Sequence, residues 1–137
     1  MADDAPAAAG GAEVFSSHCA VCHGAQAGGI PGSFPSLHGQ IVHFSKIPAG
    51  RDYLVMVITT GLFGPLSVEG VAYNGAMPAQ GALSEAEIAS VLNYLASDLG
   101  KNDLGDTAFS AAEVARARAQ HADRSAQATR ALRPAAE

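Results

Sequence analysis

Between positions 19 and 23 the chain reads Cys-Ala-Val-Cys-His, and these are its only two cysteines. Two thiols separated by two residues, with an imidazole directly after the second, constrain the fold more than any other stretch. A disulfide or a thioredoxin-like redox pair is one use of such a spacing, but nothing in the chain resembles the βαβ unit expected around that motif. A structural zinc site needs about four ligands. There is no second cysteine pair to complete one, and His18 and His23 on either side of the cysteines would be strained as the remaining ligands.

The third use is covalent attachment of a c-type haem, for which Cys-x-x-Cys-His is the signature. Cys19 and Cys22 reach the two vinyl groups of one porphyrin as thioethers, and His23 then lies under the iron as the proximal ligand. The motif occurs once, so one haem c per chain is expected. The composition agrees. Hydrophobic residues make up 48% of the 137, yet there is no Trp and there are only five Phe and three Tyr. A buried macrocycle supplies the apolar volume that such a core lacks.

Charge narrows the partners. Residues 1–106 carry ten acidic residues against three basic ones, whereas residues 107–137 carry three against five. An acidic body argues against nucleic acid, which needs a basic footprint, and against an anionic membrane surface. No apolar run approaches the roughly 20 residues of a membrane span. The opening Met-Ala-Asp-Asp-Ala-Pro has neither a basic nor an apolar signal region, so the chain reads as a mature form with an added initiator Met1.

Residues 1–10 read as a loose leader. Gly11 to Ala20 reads as a short helix running into the cysteines. Gly24 to Gly50 is rich in Gly and Pro and is expected to be a long ordered loop packed through Phe34, Leu37, Ile41, Phe44 and Ile47. For Arg51 to Thr60, helix and buried strand are both compatible with the pattern. Leu66 to Tyr73 suggests a small hairpin turning at Glu69-Gly70, followed by a loop from Asn74 to Gly81 that contains Met77-Pro78. Ser84 to Glu87 is a capping box opening a helix whose apolar face is Ile88, Val91, Leu92 and Leu95. Gly100, Asn102 and Gly105 interrupt structure. Ser110 to Glu113 is a second capping box, opening an Ala/Arg-rich helix to about Leu132 that Pro134 ends. Its arginines face the acidic body, so this segment is expected to fold back on it, with loose and partly electrostatic packing; a frayed, solvated tail and a helix that docks a partner protein are the alternatives.

A haem iron with one imidazole needs a sixth ligand or an open position. Met56, Met77, His38, His43 and His121 are the candidates. Met56 sits within an apolar segment, where methionine is usually core filler. Met77 stands in a loop stiffened by Pro78, which can aim a thioether at a fixed point, and it is the expected distal ligand. Gln80, three residues on, either hydrogen-bonds that sulfur or is a solvent-facing loop residue. Lys46, Arg51, Tyr53, Tyr73 and Asn74 are candidate partners for the haem carboxylates.

Together these residues resemble the class I c-type cytochromes over about Gly11 to Leu95. Gly11 and Phe15 stand where that family's N-terminal helix is crossed, and Tyr94-Leu95 resembles the aromatic–aliphatic pair of the C-terminal helix that crosses it. Pro35-Ser-Leu-His-Gly39 is similar to a Pro-x-Leu-x-Gly segment, and the resemblance implies that the Pro35 carbonyl orients His23. Met77-Pro78 resembles the distal-ligand loop. The resemblance implies an all-α fold wrapped around one haem, with a small β-hairpin before the Met loop and a C-terminal helical tail. The expected division is a leader over 1–10, a cytochrome domain over 11–100 and an extension over 101–137, which minimal members lack.

The segment from Gly64 to Pro78 is similar to a bacterial subgroup that partners periplasmic dehydrogenases or is fused to nitrite reductases. It implies a periplasmic single-electron carrier, not an enzyme, with a dehydrogenase, nitrite reductase or oxidase as redox partner. A haem enzyme or a gas-binding sensor with a labile distal ligand is the alternative reading.

Overall fold

The computed structural model describes residues 10–134 except Ala25, Pro31, Glu69, Asn102, Asp103, Gly105, Asp106 and Arg124, and the side chain of His38 is not described either. The leader expected over 1–10, apart from Gly10, therefore lies outside the described residues. So do Glu69 of the expected turn and the breaks at Asn102 and Gly105.

The fold is mostly helical, with one two-stranded sheet. Helix α1 (Gly11–His18) runs through Cys19 into a single further turn, α2 (Ala20–His23). Helix α5 (Glu85–Asn93) crosses α1. The crossing is close because Gly11 has no side chain: a Cβ there would collide with the Ser90 carbonyl oxygen. Next to it Phe15 packs on Tyr94, with ring centroids 5.9 Å apart. The start of α5 is a full capping box. Ser84 Oγ accepts the Glu87 N–H at 3.1 Å, and the Glu87 carboxylate accepts the Ser84 N–H at 2.8 Å. Beyond Asn93 the helix widens into a π-helical segment, Tyr94–Leu99, closed by the Gly100 N–H on the Leu95 carbonyl at 2.8 Å.

The stretch from Gly24 to Gly50 is not one long loop. It contains helix α3 (His38–Phe44) and the first turn of α4 (Pro48–Thr60). Pro48 stands at the start of α4, where its fixed φ suits a helix and its missing N–H costs nothing. That start settles the ambiguity over Arg51 to Thr60: Tyr53 to Met56 and Ile58 are buried as one continuous helix. Apolar residues of α1, α3, α4 and α5 build much of the core, with Phe15, Phe44, Val55, Met56, Ile88 and Leu92 almost wholly buried.

The hairpin is longer than its turn signal suggested. Strands β1 (Leu62–Val68) and β2 (Val71–Met77) pair antiparallel, with Leu62 opposite Met77, Gly64 opposite Gly75 and Leu66 opposite Tyr73. Met77 is thus the last residue of a strand, and the connection to α5 begins at Pro78.

The C-terminal segment is broken rather than one helix. Helix α6 (Ala111–Gln120) stops at His121, and a second short helix, α7 (Ala126–Thr129), starts from a Ser125 cap and tightens into a 3-10 turn, Arg130–Leu132. Ser110 caps α6 through the Glu113 N–H at 3.2 Å. The second half of the expected box is missing because Glu113 is drawn away: both its oxygens accept from Arg51, at 2.6 and 2.7 Å. Nor is the packing loose. Phe109, Val114, Ala117 and Thr129 are fully buried. Asn93 clamps Phe109 by both backbone groups, accepting its N–H at 2.7 Å and donating to its carbonyl at 2.9 Å. Thr129 shares a hydroxyl hydrogen bond of 2.7 Å with Thr60 of α4.

Candidate functional site

Residues of α2 and of the β1–β2 hairpin line one open cleft. Cys19, Cys22, His23, Pro35 and Met77 all line it. The remaining wall is largely apolar, with Val21, Phe34, Leu62 and Leu66 prominent.

Each wall has a local cause. One turn of helix places Cys19 and Cys22 on the same side of α2, and His23 follows into the interior. Only 7% of His23 is exposed. Its Nδ1–H donates to the Pro35 carbonyl at 3.1 Å, which fixes the ring and leaves Nε2 as the free donor atom toward a metal. Burial pushes the His23 imidazole below its ordinary range, and the bond to Pro35 only partly offsets this, so the ring is neutral and ligand-competent at neutral pH. Phe34 meets the same ring edge-on at 6.5 Å. The Cys19 thiol is pushed up by burial first and by neighbouring Cys22 second.

The hairpin brings Met77, the last residue of β2, to the same cleft. Of the distal candidates with described side chains, Met77 alone lines the cleft. Met56 is 1% exposed within the α4 core. His43 packs on Phe44, and His121 is hydrogen-bonded to Asp52 at 3.1 Å. Gln80 lines the cleft too, held by its backbone N–H on the Ile58 carbonyl at 2.7 Å. Among the candidate carboxylate partners, Tyr73 and Asn74 line the cleft and Lys46, Arg51 and Tyr53 do not. Arg51 is bound to Glu113 and stacked 3.9 Å from the Phe109 ring centroid. Tyr53 accepts from Arg133 at 3.1 Å. Sequence reasoning had no means to see that these two serve the tail.

Two thiols at the mouth, a neutral buried imidazole with a free Nε2 and an apolar interior form a donor set that fits a covalently bound haem. Among the described residues no group of three or more His, Cys, Asp and Glu is placed to hold a bare metal ion. No described helix is long and apolar enough to cross a membrane.

A family model described as cytochrome C oxidase, cbb3-type, subunit III, matches residues 6–95. Two proteins from Thermus thermophilus, each called cytochrome c-552, are similar to the chain. One is 41% identical over 116 residues, spanning 83% of this chain and 78% of that protein. The other is 40% identical over 114 residues, spanning 82% and 86%. With haem c as its covalent cofactor and electron carriage as its role, the chain belongs to the class I c-type cytochromes.

Proposed function

We propose that the chain is a periplasmic single-electron carrier in which Cys19 and Cys22 anchor the haem while His23 and Met77 hold the iron from its two faces. Haem supplies the one-electron Fe(III)/Fe(II) couple. The observation that carries this reading is that His23 and Met77 line one apolar cleft, Met77 being the only described distal candidate there. Two protein ligands leave no position for substrate, which favours electron carriage over catalysis. A thioether opposite imidazole also raises the potential. Residues 11–100 form the haem-bearing body, and residues 101–137 are an extension that braces it.

Electrons enter and leave beside the thioethers. Val21, between the two cysteines, is 87% exposed, so the anchored edge lies next to solvent and offers an apolar contact to a redox partner. A periplasmic dehydrogenase, nitrite reductase or oxidase suits that role. Haem attachment of this kind normally takes place outside the cytoplasm, which supports that location.

Met77→Ala is the direct test. The ferric protein is expected to lose the weak far-red band of thioether-ligated haem, the potential to fall, and the reduced form to bind CO. Met56→Leu is expected to change none of these. An unchanged spectrum in Met77→Ala would move the ligand to a histidine, with His43 tested next. Rapid CO binding by the unaltered reduced protein would instead favour a gas sensor or haem enzyme.

A further inference from the structure

The chain segment that carries Met77 begins and ends at the last turn of α4. Gly61, which closes that helix, has φ +77°, a conformation that favours glycine. A Cβ there would also collide with the Met77 carbonyl oxygen. Beyond Met77 the chain returns to the same place. The Gln80 N–H donates to the Ile58 carbonyl at 2.7 Å, and a Cβ on Gly81 would stand 2.9 Å from the Thr59 carbonyl oxygen. Met77 is therefore seated between the end of α4 and the turn over 80–83.

Side chains of the extension hold both supports. Arg118 of α6 donates through Nη2 to the Gly81 carbonyl at 3.0 Å and through Nη1 to the Leu83 carbonyl at 3.2 Å, with the Glu85 carboxylate 3.3 Å away as its counter-ion. Hydrogen bonds from a charged donor are the stronger kind. The Arg118 side chain is only 24% exposed, so solvent screens them little. At the other support, Thr129 of α7 is fully buried and shares a hydrogen bond of 2.7 Å with the Thr60 hydroxyl. Arg130 and Arg133 then reach the Pro65 and Ser67 carbonyls of β1, at 3.2 and 3.3 Å. Those two residues alternate along the strand, so both carbonyls leave the same edge of it.

We propose that the C-terminal extension is a strap that seats Met77, with Arg118 and Thr129 as positioning residues for the distal ligand. Neither residue lines the cleft. They act through the backbone on either side of Met77. For the thioether to leave its place, the hairpin must part from the turn over 80–83 or from the end of α4, and the extension is bonded to all three. The closed sixth position that favours electron carriage is then maintained by residues outside the haem-bearing body. The inference rests on Met77 being the distal ligand, and an unchanged spectrum in Met77→Ala would defeat that premise separately.

The test is the rate at which the reduced holoprotein binds CO, which requires Met77 to leave its place first. Arg118→Gln is expected to keep the resting far-red band and to bind CO faster by on the order of tenfold, the size of effect that follows from losing a hydrogen bond to a charged group. Thr129→Val, which keeps the shape and removes the hydroxyl, is expected to act in the same direction, and Arg118→Lys to recover part of the change. Arg116→Gln removes the same charge from the same helix but reaches Asp52 instead, and it is expected to leave the rate unchanged. Gly11→Ala, which loosens the crossing of α1 and α5, is expected to leave it unchanged too. An unaltered rate in Arg118→Gln overturns the proposal. So does an equal acceleration in Gly11→Ala, which would trace the effect to general loss of stability. A second measurement needs no variant. In native-state hydrogen exchange of the holoprotein with rising urea, the Gln80 amide is expected to open together with the Val114 amide of α6. Exchange at Val114 at lower urea, with Gln80 still protected, would show that Met77 needs no strap and overturns the proposal.

Discussion

At Gly11 one hydrogen atom decides how closely two helices approach. Any Cβ there meets the Ser90 carbonyl oxygen, which is backbone and cannot turn aside. Gly11→Ala is expected to destabilise the protein by about 1–3 kcal/mol, the usual range for overpacking, as read by urea unfolding. The visible spectrum should not change, because Gly11 does not line the cleft. Single atoms matter equally at the site. The Pro35 carbonyl acts on His23 through the backbone, so the identity of its ring shapes the loop more than the hydrogen bond.

Among the elements, the extension and α4 are joined by two kinds of contact. One is apolar. Phe109 is fully buried, stacked on Arg51 and clamped by Asn93. Phe109→Ala is expected to cost about 3–5 kcal/mol by calorimetry or denaturant titration, with the haem spectrum intact. The other is ionic. Asp52 on α4 accepts from Arg116 at 2.8 Å and from His121 at 3.1 Å. Burial alone pushes the Asp52 carboxyl up, but hydrogen bonds and charge from Arg116 and His121 outweigh it and hold the group below the usual carboxylate range. A carboxyl depressed in the folded state binds its proton less readily there than in the unfolded chain. Its contribution is therefore complete above the unfolded pKa of about 3.9 and disappears as pH falls through the folded value. Asp52→Asn is expected to flatten the acid limb of the stability curve below about pH 4 and to leave stability near neutrality only slightly lower. An acid limb with unchanged slope would assign the effect to other carboxylates.

The whole molecule is organised around its cofactor. The helices and the hairpin leave an apolar cleft, which the chain's own few aromatics do not close. Replacing both thiols, Cys19→Ala with Cys22→Ala, is expected to make the haem extractable by acid acetone. Once it is extracted, the melting transition should broaden and shift to lower temperature. A sharp transition unmoved after extraction would show that the polypeptide core suffices alone.

Much of this was written in local sequence. Cys-x-x-Cys-His named the cofactor because the chemistry needs contiguous residues. Ser84 and Glu87 marked the start of α5 because capping bonds span only one turn. Met77, marked by the proline after it, does line the cleft. Boundaries that depend on partners were less legible. Helix α3 hid among glycines and prolines because burial against the core, not propensity, stabilises it. β2 extends to Met77 because β1 offers it a full ladder of partners. Arg51 and Tyr53 looked suited to the haem carboxylates, yet tertiary packing turned them toward Glu113 and Arg133, residues more than sixty positions away. Local sequence sets what short-range bonds and covalent chemistry can express, whereas charge pairing and close approach across the chain depend on distances that exist only in the folded state.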